Sequence, residues 1–259
     1  MSDDPAERNR AVYEQAGVVA FYRERDDLLP GEAAVFRAIA NDRPMHRCAL
    51  LDIGCGGGRT TAHLLPLVGR YVGFDYAAAM VEACRARFAG HKPAAELLHA
   101  DARDLSRFSD GAFDIALFSF NGLDTLAHDD RSLALSEIRR VLALGGFFAY
   151  STHLLPNVEP RFTAGGGVWH ADARVRRRFA ALNAGLGYLA LRDWAMIRDA
   201  AHSFSLLTHY IRPEAIPGEL ADAGFGPPRL FASYAVRELD ARADDLSGEN
   251  WIYVLTRAV

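Results

Sequence analysis

The sequence predicts an α/β fold, a doubly wound and mostly parallel sheet of seven strands with helices in front and an insertion after the fifth strand. Three observations predict it. From Cys48 onward, short apolar runs alternate with amphipathic stretches, the mark of βα units in a sheet covered on both faces. A glycine-rich turn carries the first apolar run into the next helix. The chain has 259 residues, 50% of them hydrophobic, which suits one core with an inserted cap better than two domains.

Taken in order, Val12, Val19, Phe21, Val35, Phe36 and Ile39 recur at helical spacing, broken by Pro30-Gly31, so two helices are expected before the sheet. Strands are expected at 48–53, 71–75, 96–100, 113–119 and 146–152. Between them lie helices near 58–67, 77–89 and 130–142, the last closing on the glycines of Leu144-Gly145-Gly146, a preferred helix stop. The next convincing strands are at 229–236 and 250–257, too far away for an ordinary connection. Within that insertion, Gly165-Gly166-Gly167 reads as a hinge or loop, 172–186 as an arginine-rich helix, 202–211 as a strand candidate, and Pro213 to Ala223 as a helix. The organisation read here is one domain over 1–259: N-terminal helices (1–45), a core (46–153), a substrate-cap insertion (154–212) and a C-terminal helix with strands (213–259).

Composition narrows the function. The 29 Lys and Arg against 33 Asp and Glu give a formal net charge of -4, which disfavours nucleic acid as a partner. Cys48, Cys55 and Cys84 have neither zinc-site spacing nor the density of a secreted disulfide scaffold, so reduced thiols are expected. No signal-peptide core and no stretch of about 18 uncharged apolar residues occurs, so a soluble, cytoplasmic protein without membrane contact is expected.

The chemistry begins at Leu50-Leu51-Asp52-Ile53-Gly54-Cys55-Gly56-Gly57-Gly58, an apolar strand that runs into glycines and then a helix near Thr60. Such a turn lets backbone N–H groups and a helix start approach a ligand, because glycine has no Cβ in the way. About 20 residues on, Gly73-Phe74-Asp75 ends the second strand, where a carboxylate can accept both hydroxyls of a ribose. Together the two segments point to an adenosine-containing cofactor. A dinucleotide site requires G-x-G-x-x-G, but counting from Gly54 or Gly56 puts Arg59 or Thr61 at the last glycine. That departs from nicotinamide oxidoreductases.

The segment instead resembles the first motif of class I S-adenosylmethionine-dependent methyltransferases, D-x-G-x-G-x-G, matched by Asp52, Gly54, Gly56 and Gly58. The resemblance continues through Asp75, Ala100-Asp101-Ala102, Phe113-Asp114-Ile115-Ala116 and Glu137 to Gly146, and covers roughly 48–153. It implies the Rossmann-like methyltransferase sheet and S-adenosyl-L-methionine as cofactor. It further implies that Gly54 and Gly56 pack under the methionine moiety, Asp52 orients its ammonium group or the glycine loop, and Asp75 holds the ribose. Asp101 would accept from the adenine amino group, the Ala102 N–H would meet a ring nitrogen, Tyr76 or Met80 would cover a ring face, and Phe120 would also face the cofactor. For Asp101 a helix N-cap before Leu105 is the competing reading, and for Tyr76 it is plain packing. Tyr13 and Tyr22 sit on helices that in many small-molecule methyltransferases form a lid, and could equally pack those helices onto the sheet.

Methyl transfer is an in-line displacement, so alignment and exclusion of water do much of the work. A hydroxyl or protonated-amine acceptor also benefits from a base, usually histidine. Of nine histidines, His153 is the first candidate, because Ser151-Thr152-His153 ends the fifth strand, where ligands bind in open α/β sheets. Asn121, in Ser119-Phe120-Asn121-Gly122 after the fourth strand, shares that rim and could bond acceptor or cofactor; Asp124 reaches it if the loop turns inward. His209 and Tyr210 are second-rank candidates from the insertion. Each of these also has a structural reading. Asp124, His128 and Asp129 lie close together but form no recognisable ligand triad, so no metal is expected. The run Arg174-Val175-Arg176-Arg177-Arg178 reads first as a solvated face and second as an acidic-substrate contact. Trp169, His170 and Trp194 read as core aromatics or as pocket lining.

The function expected is methyl transfer to an N or O atom of a small soluble molecule, such as a natural-product, sugar or amino-acid derivative. A nucleic-acid methyltransferase is the first alternative, although the Asn/Asp-Pro-Pro-aromatic segment of base-modifying relatives is replaced by Ser119-Phe120-Asn121-Gly122. A non-catalytic nucleoside-binding protein of the same fold is the second. The oligomeric state, with a homodimer through the insertion among the options, stays open.

Overall fold

The computed structural model describes residues 5–158, 172–184, 193–240, 246 and 248–259. Gly165-Gly166-Gly167, Trp169 and His170 therefore lie outside the described residues.

Three helices precede the sheet, not two: α1 (Pro5–Tyr13), α2 (Ala16–Arg23) and α3 (Pro30–Asp42). The extra break falls at Gln15, whose extended backbone (φ -72°, ψ 131°) interrupts an otherwise continuous helical pattern. Pro30 starts α3 without cost, since the first helical N–H has no partner within the helix, and Glu32 reaches back to the Leu29 N–H at 2.9 Å.

Among the described residues the sheet has ten strands, against the seven that the sequence predicts. They are β1 (Ala49–Ile53), β2 (Arg70–Asp75), β3 (Glu96–His99), β4 (Phe113–Phe118), β5 (Leu142–Leu154), β6 (Trp194–Ile197), β7 (Thr208–Ile211), β8 (Arg229–Ala232), β9 (Glu238–Leu239) and β10 (Trp251–Arg257). The order is β3-β2-β1-β4-β5-β10-β8-β9. β1 to β5 are parallel, and β10 runs antiparallel to both β5 and β8. β6 and β9, which have no counterpart among the expected strands, are short. β6 and β7 pair antiparallel, and β7 joins β5 in parallel with His153 beside Tyr210. Thus the strand expected at 202–211 is confined to its last four residues, and the one expected at 229–236 stops at Ala232.

Helices α4 (Thr61–Leu64), α5 (Ala78–Phe88), α6 (His128–Val141), α7 (Ala173–Leu182) and α8 (Ile216–Asp222) complete the fold. The helix expected over 58–67 is a single turn, because Gly58 is left-handed (φ +89°) and Pro66 cannot continue a helix. Helix α6 does not end on Gly145 as expected. Leu142 is already extended, and Gly145 (φ +73°) instead bends β5, its N–H donating to Ala258 O at 2.9 Å. Asp172 caps α7 through the N–H groups of Arg174 and Val175.

One apolar cluster, with Leu51, Phe74, Phe113, Leu135, Phe148 and Ile252, packs α6 and α8 on one face of the sheet. A second, with Val35, Ile39, Leu50, Leu64, Cys84 and Tyr253, packs α3 and α5 on the other. Burying both faces leaves the carboxyl ends of the parallel strands as the place for a ligand. No helix among the described residues is long and apolar enough to cross a membrane.

Candidate functional site

A cleft of about 820 Å³, open to solvent, lies at those carboxyl ends. Its floor is the β1 glycine loop: Gly54, Cys55, Gly56 and Gly57 line it, and Asp75 closes β2 beside them. The Asp75 carboxylate accepts the Gly56 N–H at 3.0 Å and the Ala77 N–H at 2.9 Å. One backbone donor sits on each oxygen, so each keeps a lone pair for a ligand hydroxyl. Burial pushes the Asp75 carboxyl up to about 6, against those two N–H groups, which lower it.

Gly56 and Gly58 differ within the same loop. A Cβ on Gly56 (φ +55°) meets nothing within 4 Å, whereas one on Gly58 lies 2.4 Å from Phe88 Cε2 and 3.0 Å from Cys84 Sγ. Gly56 is therefore bare toward the cleft, and Gly58 is pressed onto α5 and does not line it. Asp52 also lies beneath the cleft, accepting from Thr60 Oγ1 and Tyr71 Oη, both at 2.6 Å. It ties the end of β1 to the start of α4, and burial raises its carboxyl to about 6.

Tyr76, Met80, Asp101, Ala102, Thr125 and Leu126 line one end of the cleft. No helix begins after Asp101. Its carboxylate accepts the Arg103 N–H at 2.9 Å and pairs with the Arg103 guanidinium at 2.7 Å, an arrangement that both sequence readings missed. The Tyr76 hydroxyl is buried with no hydrogen bond of good geometry, as the nearby Thr125 hydroxyl donates to Gly122 O at 2.7 Å.

Tyr13, Tyr22 and Phe120 also line the cleft, the Tyr13 ring lying 6.2 Å from that of Tyr76. The N-terminal helices are anchored there by three contacts. Glu14 accepts the first N–H groups of α5, Ala78 and Ala79, at 2.7 and 3.1 Å. Buried Asn9 donates to Thr125 O and Leu207 O at 2.8 Å and accepts from the Leu207 N–H at 3.0 Å. The Arg23 backbone packs so closely that a Cβ on Gly57 would stand 2.5 Å from its Cα. Outside the tyrosines, His202 Nε2 lies 3.3 Å from Tyr22 Oη, on a run of three left-handed residues, His202, Ser203 and Phe204. Sequence reasoning missed His202, because no local pattern announces such a run. It also missed Arg59, which lines the cleft while its guanidinium forks onto buried Glu32 with two contacts of 2.6 Å.

Asn121 and His153 meet at the rim: Asn121 Nδ2 is 3.3 Å from His153 Nε2. They do not line the cleft themselves, but Asn121 stands between two residues that do, Phe120 and Gly122. Asp124 turns inward, fully buried, with Oδ2 2.8 Å from His153 Nδ1. His209 is not brought to this rim. It is fully buried beside His128 (Nε2 to Nδ1, 3.2 Å) and stacks near Trp194, because β7 aligns Tyr210, not His209, with His153. Burial, then the charges of Arg131, His128 and His153, hold the His209 imidazole well below its ordinary pKa. Among the described residues, no cluster of three or more His, Cys, Asp or Glu could hold a metal ion.

With this geometry in place, comparisons with known proteins are informative. Residues 50–146 match the methyltransferase-domain family. A demethylmenaquinone methyltransferase of Clavibacter sepedonicus is 36% identical over 113 residues, 44% of this chain and 43% of that protein. The O-methyltransferase cnsE of Penicillium expansum is 35% identical over 100 residues, 37% and 34% of the two chains. The matches thus span less than half the length of these relatives. The structure of a Burkholderia thailandensis 1,6-didemethyltoxoflavin-N1-methyltransferase, with that compound and S-adenosylhomocysteine bound, superposes with TM-score 0.61 at 18% identity, covering 100% of this chain and 92% of that one. At that identity the likeness speaks for the fold.

Proposed function

We propose that this chain is a class I S-adenosylmethionine-dependent methyltransferase, on the match of residues 50–146 to the methyltransferase-domain family, and that it methylates an N or O atom of a small soluble molecule of the natural-product, sugar or amino-acid kind. One observation carries the reading: the bare Gly56 cradle beside a buried Asp75 carboxylate with a lone pair left on each oxygen.

The residues fit the cofactor. Asp75 would take the ribose hydroxyls, and the unpartnered Tyr76 hydroxyl with Asp101, Ala102 and Met80 would bound the adenine. Gly54 and Gly56 would lie under the methionine portion, with Asp52 stiffening their loop from below. Tyr13, Tyr22, Tyr76 and Phe120 offer aromatic faces, which attract a cation such as a sulfonium. When bound, the cofactor supplies a methyl group activated by that positive sulfur. The protein's share is alignment and exclusion of water. The α1–α2 helices cover the cleft, and the insertion packs onto them through the contacts of His202 with Tyr13 and Tyr22. His153, with Asn121, stands where it could receive a proton from the acceptor, whereas buried His209 supports the rim from behind.

Small-molecule acceptors are favoured by the net charge of -4 and by the relatives whose names specify demethylmenaquinone and 1,6-didemethyltoxoflavin. The test is transfer of a radiolabelled methyl group from S-adenosylmethionine to pools of hydroxyl- and amine-bearing compounds, with tRNA and duplex DNA in parallel. Label in the small-molecule fraction, lost in Asp75→Ala, is expected. Label in nucleic acid alone would overturn the proposal.

A further inference from the structure

Asp124 is at the centre of a connected group of buried side chains, with Arg131, Thr152 and His153 around it. It belongs to the Gly122–Thr125 turn after β4 and is fully buried. Its carboxylate accepts from Arg131 Nη1 at 2.7 Å, Thr152 Oγ1 at 2.8 Å and the His153 backbone N–H at 2.8 Å. Arg131, itself fully buried, is held from behind by Glu219 at 2.6 Å. The carboxylate is thereby fixed in position and orientation before it meets the imidazole, at 2.8 Å from His153 Nδ1.

A carboxylate flanked by three donors accepts hydrogen bonds, so the proton between it and His153 belongs on Nδ1. A neutral imidazole carries one N–H, so Nε2 is left as an acceptor. The other side of the ring agrees, because the atom nearest Nε2 is the Asn121 amide nitrogen, a donor, at 3.3 Å. That contact is long and easily exchanged. Asn121 Oδ1 is buried with no hydrogen-bond partner, and Phe120-Asn121 are held left-handed (φ 51° and 60°). Strain of this kind gathers at ligand sites. Beside the cleft the rim thus holds two acceptors, His153 Nε2, whose contact with Asn121 Nδ2 is long, and Asn121 Oδ1, buried without a partner.

We infer that Asp124 is a positioning residue that fixes His153 with Nε2 as proton acceptor, and that the methyl acceptor is a proton-bearing group, a hydroxyl or N–H, bound between His153 Nε2 and Asn121 Oδ1. The inference rests on the methyltransferase reading above. His153 Nε2 takes the acceptor's proton as the carbon–heteroatom bond forms and the carbon–sulfur bond breaks, its electron pair staying on sulfur. The resulting imidazolium is paired with Asp124 and returns its proton to water once product leaves. A thioether acceptor has no proton to give and would make no use of the pair.

The tautomer is measurable on the wild-type protein without cofactor or acceptor, by nitrogen-15 NMR of the histidine rings, with the His153 signals assigned by their loss in His153→Gln. Protonated Nδ1 and bare Nε2 at the pH of turnover are expected. Protonated Nε2, or an imidazolium throughout the active range, overturns the inference whether or not Asp124 variants fold. In kinetics, Asp124→Asn and His153→Gln should each lower kcat by about 10²–10⁴-fold, the usual worth of a general base, with little further loss in the double variant and an unchanged cofactor Kd. Retained kcat in a folded Asp124→Asn overturns the positioning role. Absence of any transfer by wild type would count against the methyltransferase reading instead, and the tautomer would still be read independently of it.

Discussion

Gly56→Ala and Gly58→Ala place the same methyl group two residues apart in one loop, yet they should fail in different ways. At Gly58 the new Cβ stands 2.4 Å from Phe88 Cε2 and 3.0 Å from Cys84 Sγ. Both neighbours are buried, so the ring must shift by about 1 Å within a packed core, which costs about 1–3 kcal/mol. The left-handed backbone (φ +89°) adds about 1–2 kcal/mol for a residue with a Cβ. A stability loss of about 2–5 kcal/mol follows. At Gly56 the Cβ meets nothing within 4 Å, so only the backbone cost of about 1–2 kcal/mol applies, but the methyl enters the cradle. There the loss should appear in S-adenosylmethionine affinity, tenfold or more, equivalent to about 1.4 kcal/mol. Urea denaturation and calorimetric titration of both variants separate the two effects. Equal stability losses, or normal binding by Gly56→Ala, would refute this division of the loop.

Four further outcomes follow from the buried polar groups. Asp52 and Asp75 titrate near 6 in the folded chain against an ordinary 3.8. Protonation therefore favours the native state, and their contribution, present in full below about 4, is lost as pH rises through about 6. The ligand-free protein should lose on the order of 3 kcal/mol per carboxyl over that window; a slope that is the same in Asp75→Asn as in wild type contradicts this. Cofactor affinity should move the other way, falling by up to tenfold per pH unit below about 6, because ribose hydroxyls need ionised Asp75. Arg131→Met leaves Asp124 and Glu219 buried without their cation and should cost about 3–5 kcal/mol by denaturant unfolding; a loss under 1 kcal/mol would show that the triad matters little. Asn9→Ala strips partners from Thr125 O, Leu207 O and Leu207 N, and should hasten proteolysis within the first 25 residues before global unfolding, as expected when one segment opens alone.

Local chemistry explains what was legible in the sequence. Strand, glycine loop and Asp75 are read from one βα unit and the next strand, so Gly54, Gly56 and Asp75 were found with correct surroundings. Tyr76, Met80, Asp101 and Ala102 follow β2 and β3 directly and line the cleft, but the pairing of Asp101 with Arg103 has no local signature. What stayed hidden depends on distant partners. His209 stands as a second-rank candidate behind His153 because only the β5–β7 register, which aligns Tyr210 with His153, decides which histidine reaches the rim. Arg131 on α6 is buried only because Asp124 and Glu219 close around it, and Arg59 finds Glu32 across 27 residues. The short strands β6 and β7 exist because they pair with each other and with β5, and four-residue runs such as Trp194–Ile197 carry no signal of their own.

Calorimetric titration of S-adenosylmethionine and of NAD into the wild-type protein, with the first repeated on Asp75→Ala, tests the central claim most directly. The account predicts saturable binding of S-adenosylmethionine, none of NAD, and weakening in Asp75→Ala by about 1.5–3 kcal/mol, roughly 10- to 200-fold in Kd, for lost hydrogen bonds to a carboxylate. No binding of S-adenosylmethionine by folded protein, or a preference for NAD, would contradict it.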